Sequence, residues 1–162
     1  MNTHKKDLFK QVFEENKNKL FAICSKFADD TNQAKDLFQE VSIQIWKSLD
    51  SFEGRSSINT WIYRICINVC NKHLAISKKR KSISFELVDK YISINDKKDT
   101  DYTDLYTCIN QLSIIEKSII TLHLQEIKYR EIAEIIGVTE NYVAVKIKRI
   151  KNKLLTCLQS KV

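Results

Sequence analysis

Phe9, Val12, Phe13, Leu20, Ile23, Cys24 and Phe27 recur at the spacing of one helix face, which predicts a first helix from about Lys6 to Ala28. Asp29 to Asn32 is a polar break, with Thr31 or Asn32 as the cap of a second helix. That helix has the apolar stripe Ala34, Leu37, Phe38, Val41, Ile45 and Leu49. Its other face, Asp36, Gln39, Glu40 and Gln44, reads from the pattern alone as solvated. Ser51 to Ser57 holds the first glycine and is expected to be a loop, ending in Ser56 or Ser57 as N-cap. A third helix follows to about Ser77, with Ile58, Ile62, Ile65, Val69 and Lys72 along one face. Packed on Phe13, Phe27, Phe38, Trp46 and Trp61, the three helices make a first domain.

Polar residues dominate from Asn95 to Asp101, and this run buries too little to fold alone. Residues 82–104 therefore read as a flexible linker, within which Phe85, Leu87, Val88, Tyr91 and Ile92 form a short docking segment. Helical spacing resumes with Leu105, Ile109, Leu112, Ile115, Ile119, Leu122 and Ile127. Then comes the most specific pattern in the chain. Tyr129 to Ile136 is a short helix with Ile132, Ala133 and Ile136 inward; Gly137 supplies a left-handed turn, Val138 fills the corner, and Thr139 caps the next helix ahead of Glu140. The buried stripe of that next helix is Val143, Ile147, Ile150 and Leu154. This is a helix-turn-helix, a unit that seats its second helix in a DNA major groove. The fold class is thus all-α, two small helical domains (1–81 and 105–162) joined by a flexible linker.

Composition agrees. No proline and two glycines in 162 residues leave little hairpin chemistry. A net charge of +7 favours a polyanionic partner. The charge is local, since neither Gly54 to Phe85 nor Asn141 to Val162 contains an acid. In the first stretch Arg55, Arg64 and Lys72 are interleaved with Trp61, Asn68 and Asn71, a surface on which unpaired bases stack and phosphates bind. In the second, Ala144, Val145, Lys148 and Arg149 face outward; Arg149 suits guanine, the lysines suit phosphates, and Val145 suits a thymine methyl. No apolar run approaches the roughly 20 residues of a membrane span, and the polar start is unlike a signal peptide. A cytoplasmic protein without a membrane partner is expected.

Five cysteines without a secretion signal argue for reduced thiols. Cys66, Cys70 and His73 share one helical stripe, but a metal would need a fourth ligand and the short Cys-x2-Cys knuckle is missing. Small buried cysteines are the reading, with neither metal nor cofactor.

Three blocks in order now resemble the extracytoplasmic-function sigma factors, the minimal two-domain sigma factors of bacteria. Asp36-Leu37-Phe38-Gln39-Glu40-Val41 with Trp46 is similar to the family's helix for binding core RNA polymerase. Phe52 to Ser57, followed by Thr60-Trp61-Ile62-Tyr63-Arg64-Ile65 and Asn68, is similar to its promoter-melting loop and minus-ten helix. Tyr129 to Val138, with Val143 and Arg149, is similar to its minus-thirty-five helix-turn-helix. The resemblance implies a chain that catalyses nothing itself, joins the largest subunits of core polymerase, and directs promoter recognition and strand opening. It implies core-polymerase contacts at Asp36, Leu37, Gln39, Glu40 and Trp46. It implies minus-ten contacts at Gly54, Arg55, Ser56, Ser57, Trp61, Arg64, Asn68, Asn71 and Lys72, with a flipped base held by the loop. The minus-thirty-five set is Thr139, Asn141, Ala144, Val145, Lys146, Lys148 and Arg149. An anti-sigma factor or other recruiting partner is also implied. The family usually has a basic and a small polar residue where Ala144 and Val145 stand, so weak base specificity is expected here. Ser113 replaces a common family proline, which bears on where that helix starts.

The alternative is a free-standing, dimeric helix-turn-helix regulator of duplex DNA. An enzyme built on Cys66, Cys70 and His73 lacks the accompanying nucleophile and base pattern or phosphate loop.

Overall fold

The computed structural model describes residues 3–83 and 100–161, with side chains over 3–77 and 103–161. Among these residues there are seven α-helices and no strand: α1 (Thr3–Phe27), α2 (Thr31–Ser48), α3 (Ile58–Ile83), α4 (Thr100–Asn110), α5 (Ile114–Leu124), α6 (Tyr129–Ile136) and α7 (Glu140–Gln159), with a 3-10 turn at Leu49–Ser51. The expected docking segment from Phe85 to Ile92 and the polar run from Asn95 lie outside the described residues. Among the described residues α4 already spans Thr100–Asn110, overlapping the last residues of the expected linker.

Helices α1, α2 and α3 pack mutually around Leu20, Ile23, Val41, Ile45 and Ile62, all fully buried. Aromatic rings line one edge, with Phe13 and Phe38 centroids 5.5 Å apart and Phe9 edge-on to Trp46 at 5.2 Å. Trp46 is a rim residue rather than a core one, 36 % exposed. Trp61 is half-buried, seated on Phe52 at 5.1 Å. The N-cap of α2 is Asp30, not Thr31 or Asn32: its extended backbone lets the carboxylate accept from the Gln33 N–H, while Thr31 is already helical. Ser57 caps α3 as expected, accepting from the Thr60 N–H.

The inward side of α3 differs from the expected stripe. Tyr63, Cys66, Ile67 and Cys70 are buried alongside Ile62; Ile58, Ile65 and Val69 are half-buried, and Lys72 is exposed. The reason is that α3 is covered from two directions, by α1 and α2 and also by α5 and α6, so its buried arc is wider than one stripe. Tyr63 enters the core because its hydroxyl donates to the Asn16 side-chain oxygen at 2.8 Å, and burial pushes its pKa up to about 12. The Asn16 amide in turn donates to the Val12 carbonyl and to Asn59, leaving no arm unpaired. Nearby, Cys24 comes together with Cys66 and Cys70, where hydrogen bonds from those two thiols hold Cys24 down at about 5. The bonds to Cys24, and after them burial, push the other two up, while at Cys70 the bond with Cys66 and the Lys117 ammonium partly offset this.

In the second domain Ser113 is the N-cap of α5. Its hydroxyl accepts from the Glu116 N–H while the Glu116 carboxylate accepts from the Ser113 N–H, a reciprocal capping box. Lys153 of α7 reaches the same carboxylate at 2.7 Å, tying α5 to α7 and holding the Glu116 pKa below its usual value. Gly137 ends α6 at φ +85°, and its N–H and that of Val138 both bond the Ala133 carbonyl. Thr139 caps α7, and Val143, Ile147, Ile150 and Leu154 are its buried stripe, as expected. On α6, Ile135 is buried and Ile136 only half so; Ile115 of α5 faces outward. Reduced thiols throughout are also corrected: Cys108 and Cys157 form a disulfide between α4 and α7, their Cα atoms 5.9 Å apart, leaving Cys24, Cys66 and Cys70 free.

The two halves touch. Helix α6 lies against α3, and α5 meets α1 and α3. The Ser118 hydroxyl donates either to the Asn71 side-chain oxygen at 3.1 Å or to the Ile114 carbonyl at 2.9 Å. Lys117 is buried with its ammonium 5.1 Å from the Phe27 ring centre. Lys26 likewise lies over Tyr106 and donates to its hydroxyl.

Two measurements check this account. A Cβ on Gly137 would meet nothing within 4 Å, so Gly137→Ala costs only the left-handed backbone, about 1–2 kcal/mol in urea unfolding; an unchanged midpoint contradicts that geometry. Because Glu116 titrates lower folded than unfolded, its contribution is present above the usual value of 4.5 and is lost as pH falls through the lower folded value. Lys153→Met therefore flattens the acid limb of the stability profile below about pH 4.5, and an unaltered limb contradicts the pairing.

Candidate nucleic-acid interface

Gly54 begins the site. At φ +76° it turns the chain out of the 3-10 segment and toward the α3 N-terminus, leaving Arg55, Ser56 and Ser57 in one exposed loop. Arg55 pairs with Glu53 at 3.0 Å, both side chains largely exposed, and so is easily redirected. Below the loop, one and a half turns into α3, stands Arg64. Loop and arginine enclose an open cleft of about 590 Å³ lined by Gly54, Arg55, Ser56, Ser57, Arg64 and Glu134. The volume is within the range of small-molecule sites, and Arg55 and Arg64 give its lining positive charge.

Glu134 is the member that sequence reasoning missed. It belongs to α6, and its backbone carbonyl accepts from the Arg64 guanidinium at 2.7 Å. Further along α3, Asn71 is half-buried where Ser118 approaches it, whereas Asn68 and Lys72 are exposed. The structure thus brings the loop and Arg64 together, leaves Asn68 and Lys72 free on the surface, and places Arg64 and Asn71 against the second domain. Contacts across 70 residues of sequence leave no local signal.

On α2, Asp36, Gln39 and Glu40 form an exposed polar face. Leu37 does not share it: the side chain is 2 % exposed and belongs to the core, as its place in the Ala34–Val41 stripe requires. Trp46 lies at the far end of α2, capped by Lys5 over its ring at 5.0 Å.

On α7 the recognition face is open. Thr139, Asn141, Val145, Lys148 and Arg149 are exposed and Ala144 is half-buried; Lys146 leans over Tyr142, 5.6 Å from its ring centre. The second domain meets α3 through α6 and α5, so docking leaves this face uncovered. No helix among the described residues is long and apolar enough to cross a membrane.

Residues 12–80 match the family model of sigma-70 region 2, and residues 102–154 that of sigma-70 region 4. The chain is 27% identical over 164 residues to RNA polymerase sigma factor YlaC of Bacillus subtilis, covering 91% of this chain and 88% of that one. A shorter stretch of 63 residues is 35% identical to RNA polymerase sigma-H factor of Pseudomonas aeruginosa; it is 39% of this chain and 33% of that relative's length. Among solved structures, the sigma factor RpoE of Bartonella quintana, crystallised with the anti-sigma factor NepR, superimposes with a TM-score of 0.69 at 24% identity, over 93% of this chain and 96% of that one. That likeness establishes the two-domain helical fold.

Arg64 offers the most direct check of the cleft. With single-stranded DNA as ligand, Arg64→Ala weakens binding and lowers the slope of log affinity against log salt by about one. An unchanged slope would remove Arg64 from the phosphate-binding set.

Proposed function

Since the chain belongs to the extracytoplasmic-function sigma factors, we propose that it joins core RNA polymerase in the cytoplasm and directs promoter recognition and strand opening there. The observation that carries this reading is the cleft between the 54–57 loop and Arg64, set beside an acid-free helix face. In this mechanism Asp36, Gln39 and Glu40 meet a basic-rimmed helical surface on the polymerase's largest subunit, with Trp46 at the edge; Leu37 supports the face from beneath. The loop takes up one unstacked base of the minus-ten element, which offsets the few kcal/mol of unstacking through pocket contacts. Trp61 braces that loop from below through Phe52, and Arg64, Asn68, Asn71 and Lys72 hold the strand. Nothing in this division of labour is catalysis by the chain itself; it lends selection and strand capture to an RNA-synthesising enzyme. The family models run through both domains in order, which disfavours a free-standing dimeric regulator.

The closed pair adds a step. The Arg64 guanidinium is held by the backbone carbonyl of Glu134, a residue of the same cleft whose carboxylate lies 3.9 Å from Arg130, so this guanidinium has to be released before it can take a phosphate there. The two domains therefore separate before the minus-ten strand enters, while the α7 face is available throughout. An anti-sigma partner of the kind seen with the Bartonella factor would act on the same equilibrium. With Ala144 and Val145 lacking hydrogen-bonding groups, the groove contacts rest on Arg149 and the lysines, so the minus-thirty-five reading has low base specificity.

The test is co-purification with bacterial core polymerase. Wild-type chain is retained, and Asp36→Arg with Glu40→Arg weakens retention by roughly tenfold or more, the equivalent of about 1.4 kcal/mol. Equal retention of the double variant would remove the α2 face from the proposal.

A further inference from the structure

Cys24 of α1 and Cys66 and Cys70 of α3 bring three sulfur atoms within 4.8 Å of one another, every one of the three residues 0 % exposed. The sequence shows only the α3 pair, one helical turn apart, with His73 as their apparent companion. Across the α1–α3 packing it is Cys24 that completes the set, while His73 stays half-buried outside it. From these three thiols, we infer that the first domain holds a trithiolate site for a soft divalent cation, directly behind the promoter-facing helix.

Geometry supports it first. Metal–sulfur bonds of about 2.3 Å place pairs of sulfurs on one ion roughly 4 Å apart, so the cluster needs to contract by less than an ångström. The three donors come from one helix pair in a rigid core, and Cys66 and Cys70 cannot bridge each other at i, i+4 without breaking α3. Charge supports it second. Binding runs as three thiols and one M²⁺ giving a trithiolate complex of charge −1 and three released protons. A monovalent ion in the same place would leave −2 to bury. Lys117, buried, with its ammonium donating to Asn110 at 2.8 Å and 5.1 Å from the ring of Phe27, one turn from Cys24, adds positive charge on the Cys70 side of the cluster. All-sulfur donors select soft ions over magnesium or calcium. The site also lies at the seam, since Lys117 comes from α5 of the second domain. Loading it pins α1 to α3 and rewards keeping α5 docked, so the ion favours the closed pair.

The probe is Cd²⁺, with Zn²⁺ as competitor, added to full-length Cys108→Ser/Cys157→Ser protein, in which the cluster thiols are the only ones left. The expected result is one equivalent bound per chain with a sulfur-to-cadmium charge-transfer band, displacement by excess Zn²⁺, and a higher Tm on loading. Cys24→Ser, Cys66→Ser and Cys70→Ser each abolish stoichiometric binding, whereas Lys117→Met weakens it several-fold. Cadmium-113 NMR of the otherwise unaltered chain reports the number of sulfur ligands without any cluster substitution, and three is expected. No band at one equivalent, a shift typical of oxygen and nitrogen ligands, or binding that survives the loss of a cluster thiol overturns the site and leaves the three cysteines as core packing alone.

Discussion

Helix α3 is asked to satisfy three surfaces at once, and the arrangement of the whole molecule follows from that. Toward α1 and α2 it gives Ile62, Tyr63, Cys66 and Cys70 to the core. Toward solvent it gives Asn68 and Lys72, and toward the second domain it gives Arg64 and Asn71. A helix with 3.6 residues per turn has little circumference left after three such claims. Two of the residues that would hold a DNA strand, Arg64 and Asn71, are therefore also the ones that hold α6 and α5.

That shared use explains the chemistry of the seam. Among the described residues its hydrogen bonds run from Arg64 to a backbone carbonyl, from Ser118 to Asn71 or to its own helix, and from Lys26 to the Tyr106 hydroxyl. Such bonds contribute on the order of 1 kcal/mol each, and a phosphate would compete for the same guanidinium with a charge-assisted bond of greater strength. The core of each domain is of another order: Asn16 and Tyr63 lock α1 to α3, and Glu116, Ser113 and Lys153 lock α5 to α7. Opening the seam leaves these bonds within each domain in place, but it also exposes apolar surface, because one contiguous core runs through both halves.

The parts legible in the sequence are those decided within one or two turns of chain. Gly137, Val138 and Thr139 carry their turn in their own backbone preferences, and the α7 stripe is a plain 3.6-residue repeat. Ser57 as a cap and the exposed face of Asp36, Gln39 and Glu40 are of the same kind. What failed was decided by distant chain. The inward turn of Tyr63 depends on Asn16, the partner of Cys66 and Cys70 is Cys24 rather than His73, and Cys108 meets Cys157 across 49 residues. Leu37 shows a different failure, in which the motif was recognised as a block although its own stripe already placed this leucine inside. The acid Glu134 in the cleft has no local signal, because nothing in α6 indicates which face of α3 it will meet.

The claim on which the rest depends is that the domains are closed when free and open on the polymerase. Labels carried on unnatural side chains at Lys35 of α2 and Asn152 of α7, both exposed, report the distance between the domains by electron–electron resonance. A single short distance for the free chain that lengthens when core RNA polymerase is added is the predicted result. A distance unchanged by polymerase, with the chain demonstrably bound, would contradict it.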